Sequence, residues 1–244
     1  INRVLYVSNT SVTKDRFYKY LLFGTLLLIV MCFIYTIPWD SFLIYKNVWH
    51  YYDYRVLGKI GNIPFEEYLF FLLQCLICVL VWSINVNYYG FTRISQKKNK
   101  EIDQENIEKK NNNLKTREII YIFITLSEIS IFFVALESTF YFGLINIWAL
   151  PIITFQCWFN KEVVYRNQNL INSSIFFTTI YFSISDSFAI DRNIWMLNKD
   201  YLIENNMFQL PFEEVYFFFL SSTMCVLAIT QIVNYFLMEK NKYI

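Results

Sequence analysis

Two copies of one tetrapeptide hold four glutamates, Pro64-Phe65-Glu66-Glu67 and Pro211-Phe212-Glu213-Glu214, and each runs directly into an apolar stretch ending Phe70-Phe71 or Phe217-Phe218. Paired carboxyls in apolar surroundings can do acid–base work: one donates a proton and its neighbour receives one, provided the surroundings set their proton affinities apart. Phenylalanine one turn further on, at i to i+4 from each glutamate, adds aromatic faces that attract a cation by about 0.5–2 kcal/mol each. Pro-x-Glu-Glu is also ordinary helix-start chemistry, because proline suits the first helical position and the exposed N–H groups favour a carboxylate. The apolar setting argues for more, since an ionisable group at membrane depth is costly and marks function.

The repetition extends upstream. Asp40-Ser41-Phe42-Leu43-Ile44-Tyr45-Lys46-Asn47-Val48-Trp49 is echoed, 146 residues later, by Asp186-Ser187-Phe188-Ala189-Ile190-Asp191-Arg192-Asn193-Ile194-Trp195. A period this long signals a duplicated half rather than a stacked solenoid. Two related halves are expected to build one site between them, with Asp40, Asp186, Asn47 and Asn193 supporting the glutamates. Trp49, Trp195, Phe70, Phe71, Phe217 and Phe218 would line a pocket. His50, the only histidine, has no counterpart in the second copy and is expected to be a loop residue.

The elements that must position these residues are membrane helices. Of the 244 residues 56% are hydrophobic, with only 5 Gly and 4 Pro to interrupt them. Six apolar runs read as spans: Phe17–Ile37, Phe65–Val86, Ile119–Leu136, Thr139–Phe159, Leu170–Ser185 and Phe212–Leu237. About 20 apolar residues cross the hydrocarbon, and in lipid only helices or closed barrels satisfy their own backbone. The fold class is therefore all-α, a polytopic bundle of about six helices. Pro38-Trp39-Asp40 is expected to end the first span and open a motif loop, and Pro151 to kink the fourth. A tight hairpin near Leu136 to Thr139 would join the third and fourth. Glu137 would sit at the interface and Glu128 further in, both more in keeping with structural pairing than with the site.

Sixteen of the 21 Lys and Arg fall in the N-terminal segment (Arg3, Lys14, Arg16, Lys19), the connection from Arg93 to Arg117, Lys161 with Arg166, and the tail (Lys240, Lys242). The positive-inside rule then makes both termini cytoplasmic and puts both motif loops on the opposite side. The halves would be parallel repeats about an axis along the membrane normal. Residues 1–92 form the first repeat and 118–244 the second, joined by a solvated, partly disordered cytoplasmic linker over 93–117. The net charge of +1 implies no nucleic-acid partner. All five cysteines lie in apolar runs, so Cys75-x-x-Cys78 reads as packing, and no metal is expected.

This pattern, Asp, Trp and Pro-x-Glu-Glu-x-x-Phe-Phe twice in one membrane chain, resembles the small integral-membrane lycopene cyclase family. In that family the halves are separate subunits or fused, and in fungi the fused pair precedes a phytoene synthase. The resemblance runs from about Thr13 to Met238 and rests on Pro38-Trp39-Asp40, Trp49 and Pro64 to Phe71, then Asp186, Trp195 and Pro211 to Glu214. Family members often carry a further helix before the segment matching Phe17–Ile37, so an upstream segment is expected. Second copies often read Pro-x-Glu-Asp, where this chain has Glu214.

The resemblance implies a redox-neutral isomerisation in which the linear ψ end of lycopene closes to a six-membered β-ionone ring. A proton reaches the terminal alkene, a neighbouring double bond attacks the tertiary cation, and a different proton leaves. Glu66 and Glu213 are expected as the principal acid/base residues, with Glu67 and Glu214 as partners and Asp40 and Asp186 orienting them from the motif loops. Lycopene and the lipid bilayer are the expected partners, with a phytoene synthase fused or associated, and no cofactor is expected. A flavin would need a Gly-x-Gly-x-x-Gly turn, which Gly24, Gly58, Gly61, Gly90 and Gly143 cannot form. A carotenoid hydratase would share the apolar pocket but admit water to the cation. A prenyltransferase would need Asp-rich diphosphate motifs that are missing. A proton-coupled carrier would need a polar path across the bilayer, whereas these carboxylates gather at one end.

Overall fold

The computed structural model describes residues 14–91, 102–203, 206–207 and 210–239. It is mostly helical, and its short strands are confined to the loops that carry the motifs. The upstream segment and Arg3, the stretch from Arg93 to Lys100, and Lys240 with Lys242 lie outside the described residues.

Four segments are long and apolar enough to cross a membrane: Arg16–Tyr45 in α1 (Lys14–Tyr45), α2 (Phe65–Tyr89), Glu137–Phe159 containing α4 (Phe140–Phe159), and Phe212–Leu237 in α7 (Phe212–Glu239). These fit a membrane protein. The third and fifth expected spans form helices that fall short of the same standard. In α3 (Ile102–Val134) the apolar part is only Ile120–Val134, and α6 (Gln168–Asp191) carries Asn, Ser and Thr through its length. Ser174 folds back to the Leu170 carbonyl at 2.7 Å, Thr178 to the Ser174 carbonyl at 2.8 Å and Ser185 to the Tyr181 carbonyl at 2.9 Å, which satisfies these three hydroxyls without water. Between α4 and α6 lies the short α5 (Lys161–Arg166).

Two boundary expectations need correction. Helix α1 does not stop at Pro38 but runs through it to Tyr45, and α6 continues to Asp191. Asp40 and Asp186 therefore stand on helices rather than in loops. Proline is tolerated inside a membrane helix because neighbouring helices and local adjustment compensate for the lost N–H. The stretch expected as an irregular linker is helical from Ile102, continuous with the third span. Alternating Glu, Lys and Gln are good helix formers even where no apolar stripe is present.

Helix α7 is the centre of the bundle, packing against α1, α2, α4, α5 and α6. The seam between α2 and α7 is fastened by Gln74 Nε2 to Ser221 Oγ at 2.6 Å and Trp82 Nε1 to Thr230 Oγ1 at 2.9 Å. Cys75, Cys78 and Cys225 are buried beside these bonds as free thiols, in keeping with packing. Helix α3 packs mainly on α4, joined by the expected tight hairpin through Glu137–Thr139. Glu137 is exposed there. Glu128 is exposed on α3 beside Pro151 and Thr154.

Gly143 lets α4 approach α3 closely: a Cβ there would lie 2.7 Å from the Val134 backbone nitrogen. Gly143→Ala is expected to destabilise the protein by about 1–3 kcal/mol, since backbone rather than a flexible side chain must move. Thermal unfolding of the detergent-solubilised variant checks this, and an unchanged Tm would contradict the tight approach.

Candidate active site

The motif Asp-Ser-Phe-x-Ile-x-Lys/Arg-Asn-Val/Ile-Trp has a backbone explanation. Asn47 and Asn193 adopt the left-handed conformation, φ 53° and 52°, and terminate α1 and α6 identically. Asn47 N–H donates to the Ile44 carbonyl at 3.0 Å and Val48 N–H to the Leu43 carbonyl at 3.0 Å. Asn193 and Ile194 repeat this on Ile190 and Ala189 at 2.9 and 3.0 Å. This is the Schellman cap, in which the reversed residue satisfies the last carbonyls of the helix. Asparagine enters this region more readily than other non-glycine residues. In the first copy the residues at the positions where such a cap brings apolar side chains together, Val48 and Leu43, are both fully buried.

The cap turns each chain into a short strand, β1 (Trp49–Tyr51) and β4 (Trp195–Leu197), and these pair with each other antiparallel. Trp49 lies opposite Leu197, His50 opposite Met196 and Tyr51 opposite Trp195, so corresponding residues of the two copies meet about the His50 and Met196 pair. The indoles of Trp49 and Trp195 meet edge to face at 6.3 Å. His50 is exposed in this ribbon.

Each chain then returns through a small hairpin to its glutamates. In the first copy β2 (Lys59–Ile60) pairs with β3 (Ile63–Pro64) around Gly61 at φ 65°. In the second β5 (Asn206–Met207) pairs with β6 (Leu210–Pro211). On the first hairpin Lys59 Nζ contacts Asp53 Oδ1 at 2.8 Å and holds that exposed carboxyl below the usual carboxylate range. The prolines fall just before α2 and α7, leaving both glutamates of each copy in the first turn.

Neighbours on a helix point about 100° apart, and here the two members of each pair part company. Glu66 Oε1 accepts from Leu57 N–H at 2.7 Å, and Glu213 Oε1 accepts from Ile203 N–H at 2.6 Å. The outer glutamates thus hold their own loops. Glu67 and Glu214 instead meet the aspartates: Glu67 lies within electrostatic reach of Asp40, Glu214 and Asp186, and Glu214 also within reach of Asp186. Asp40, Glu213 and Glu214 are at most 3% exposed. Among the described residues six acceptor or donor atoms here have no partner: Asp40 Oδ2, Trp49 Nε1, Glu66 Oε2, Asp186 Oδ2, Glu213 Oε2 and Glu214 Oε1. Unpaired buried polar atoms are rare in folded proteins, and their gathering in one place marks a functional site.

The two copies are not equivalent in detail. Trp195 Nε1 donates to Asp186 Oδ1 at 3.0 Å, whereas Trp49 Nε1 has no partner and its ring instead meets Tyr141 edge to face at 5.7 Å. Below the carboxyls lies an aromatic shell. Phe70 meets Phe182 and Phe218 at 5.8 and 6.2 Å, and Trp148 stacks on Trp39 and Phe217 at 5.5 and 5.6 Å. Phe71 meets Phe70 at 6.4 Å. The fourteen motif residues named from the sequence lie in the last turns of α1 and α6, on their caps, in the ribbon, or in the first two turns of α2 and α7. Sequence reasoning missed Tyr141, Trp148 and Phe182, which lie outside the repeated motif and carry no periodic signal. Among the described residues no group of His, Cys, Asp and Glu has the arrangement of a metal site.

The lycopene cyclase family model matches residues 4–84 and 138–232, and the chain belongs to that family. It is 26% identical over 199 residues to a lycopene beta-cyclase of Halobacterium salinarum, covering 82% of this chain and 77% of that protein. It is also similar to bifunctional lycopene cyclase/phytoene synthases. The match to that of Aspergillus niger is 28% identical over 209 residues, and to that of Sporisorium reilianum 25% over 218. Each covers 83% of this chain, which spans only 34% and 29% of those longer proteins. No solved structure matches the chain.

Replacing either cap asparagine tests how the site is held. Asn47→Ala or Asn193→Ala is expected to cost about 1–2 kcal/mol, because alanine resists the left-handed conformation, while glycine at the same positions should be nearly neutral. Unfolding midpoints of the purified variants in one detergent check it, and alanine and glycine variants of equal stability would contradict it.

Proposed function

We propose that this chain is a lycopene beta-cyclase, a redox-neutral isomerase that folds the ψ end of lycopene into a β-ionone ring without a cofactor. The observation that carries the reading is the meeting of Asp40, Glu67, Asp186 and Glu214 over an aromatic shell in a chain of this family. Carboxyls within such reach repel one another when ionised, so the cluster keeps a proton among its members and can give it up. Donation to the terminal alkene makes a tertiary cation, the neighbouring double bond attacks it to close the ring, and loss of a different proton restores neutrality. The faces of Phe70, Phe71, Phe217 and Phe218, with Trp49 and Trp195, stabilise the cation and keep water from it.

The inner pair, Glu67 and Glu214, carries the proton transfers. Glu66 and Glu213 act through the loop backbone they hold, which reverses the order expected from the sequence, where the outer pair came first. Asp40 and Asp186 set the charge around the inner pair, and Asn47 and Asn193 fix the helix ends that present them. The architecture behind this is six spans in two parallel halves, with both termini cytoplasmic. The register of β1 on β4, in which His50 faces its counterpart Met196 and the flanking pairs are exchanged about it, supports two-fold pairing of the halves. The substrate enters laterally from the bilayer, and the fungal relatives point to a phytoene synthase as a partner or fused neighbour.

Expression in cells that accumulate lycopene, followed by chromatography of the pigments, tests both the activity and the assignment. The chain is expected to yield γ- or β-carotene. Glu67→Gln and Glu214→Gln should each lower ring formation by about 100-fold or more, the range lost with a general acid or base. Glu66→Gln and Glu213→Gln keep an oxygen acceptor for Leu57 and Ile203 N–H and should stay within about tenfold of the parent, since only a hydrogen bond is weakened. Lycopene left unchanged by a properly inserted parent chain would overturn the cyclase reading. A hydroxylated product would favour the hydratase instead.

A further inference from the structure

Three aromatic side chains that the proton chemistry leaves unused, Tyr35 and Trp39 of α1 and Trp148 of α4, join two helices that both pack on α7. Trp148 stacks on Tyr35 at 5.8 Å and 22°, on Trp39 at 5.5 Å and 18°, and on Phe217 of α7 at 5.6 Å and 27°. Beside the carboxyls the packing differs: Phe70 meets Phe182 and Phe218 at 76° and 65°, and Trp49 meets Trp195 at 79°. Edge-to-face rings lock together, whereas parallel rings form layers between which another flat π system fits. Hydrogen bonds do not fix the two indoles. Trp148 is 8% exposed, yet its Nε1, like Trp39 Nε1, is buried with no partner among the described residues. A buried indole N–H usually finds an acceptor, so these rings are placed by their faces. The polar tie at this level is the Tyr35 hydroxyl, which donates to the Trp148 carbonyl at 2.7 Å. Pro151, three residues on, leaves the Ile147 carbonyl without its helical donor and loosens α4 beside that tie. The layer reaches the site at one end, for Trp39 precedes Asp40 and Phe217 meets Phe218 at 5.5 Å. At the other end Tyr35, one turn along α1 from Trp39, is exposed together with Met31 and Ile34.

We propose that the seam between α1 and α4 is the seat of the polyene: the conjugated chain enters from the bilayer past Tyr35 and lies against the faces of Trp39 and Trp148, which lead its end over Phe217 to the carboxyls. This rests on the cyclase reading above and adds to it the place where the substrate is held. The class of ligand follows from the walls. A conjugated chain presents a π face along its whole length, so it gains stacking as well as contact area against parallel rings, and a saturated lipid chain gains only the area. The two unpaired Nε1 atoms favour the same occupant, because a π system accepts weakly from an N–H group and a saturated chain does not. Stacked rings must part to admit the chain. Tyr35 sets how readily they do, since its bond to the Trp148 carbonyl ties α1 to α4 at the outer edge of the seam. No covalent bond is made or broken in this step.

The test titrates the solubilised full chain with lycopene and reads the visible circular dichroism that an achiral polyene acquires only when held in a chiral site. The parent should show a saturable induced band. Trp148→Leu and Trp39→Leu should each raise the half-saturating concentration about fivefold or more, and Trp39→Phe should recover most of that loss. Trp158→Leu, which removes an exposed indole ten residues further along α4, should bind as the parent does. In turnover the two leucine variants should raise KM with kcat within about threefold of the parent, the pattern of lost uniform binding. A second measurement does not depend on the leucine variants folding. Tyr35→Cys places a thiol at the outer edge of the seam, and lycopene should slow its alkylation by an apolar maleimide severalfold, read at that residue by mass spectrometry. A thiol introduced by Ile131→Cys, exposed on α3, should react at the same rate with and without lycopene. A parent without a saturable band, folded leucine variants that bind as the parent does, or a thiol at position 35 that lycopene leaves unprotected overturns the seat, and the pigment assay still decides the cyclase reading. Equal protection by a saturated hydrocarbon of the same length assigns the seam to lipid and overturns it too. A parent that binds lycopene through these rings and leaves it uncyclised fails as a cyclase and keeps the seat.

Discussion

The structure depends on keeping four carboxyl groups within reach of one another at one end of an apolar bundle. Left alone, such groups would separate or take up water, since each pays for burial and each repels its ionised neighbours. The fold prevents both outcomes by fixing the backbone on which every carboxyl stands. Asp40 and Asp186 sit shortly before two Schellman caps, and Glu67 and Glu214 sit in the first turn after two prolines. Neither pair depends on a long flexible side chain reaching across a loop.

Those four helix ends are held in register by contacts that recur between copies. The β1 and β4 ribbon ties the caps together above the carboxyls, and the Gln74 to Ser221 and Trp82 to Thr230 bonds tie α2 to α7 below them. Between these two fastenings the rings of Phe70, Phe182 and Phe218 pack on one another. A site bounded in this way has little room to relax when charge moves within it. On the proposed cyclase reading, that stiffness lets aromatic faces, rather than water, meet the developing cation.

How much of this was legible in the sequence varied by element. The repeated motif disclosed which residues the fold gathers at one end, because cap asparagines, tryptophans and first-turn glutamates are all specified by local chemistry that a duplicated stretch preserves. Which glutamate of each pair faces inward was not legible, since adjacent helical residues differ by about 100° and both faces here are apolar. Pro38 suggested a helix end, but a proline within the bilayer is a local adjustment, and Asp40 consequently moved from loop to helix. The charged run before Ile120 looked like an irregular linker because it lacks an apolar stripe, although its residues favour a helix. Tyr141, Trp148 and Phe182 could not have been found, because each is one aromatic among many and none is repeated.

The two motifs are nearly identical in sequence and yet meet different surroundings, and the difference has a single source. Helix α4 packs on α7, where Trp148 stacks on Phe217, and from the same helix Tyr141 turns to Trp49 of the first copy. The asymmetry reaches the indoles, for Trp195 is spent on Asp186 while Trp49 turns its edge to Tyr141.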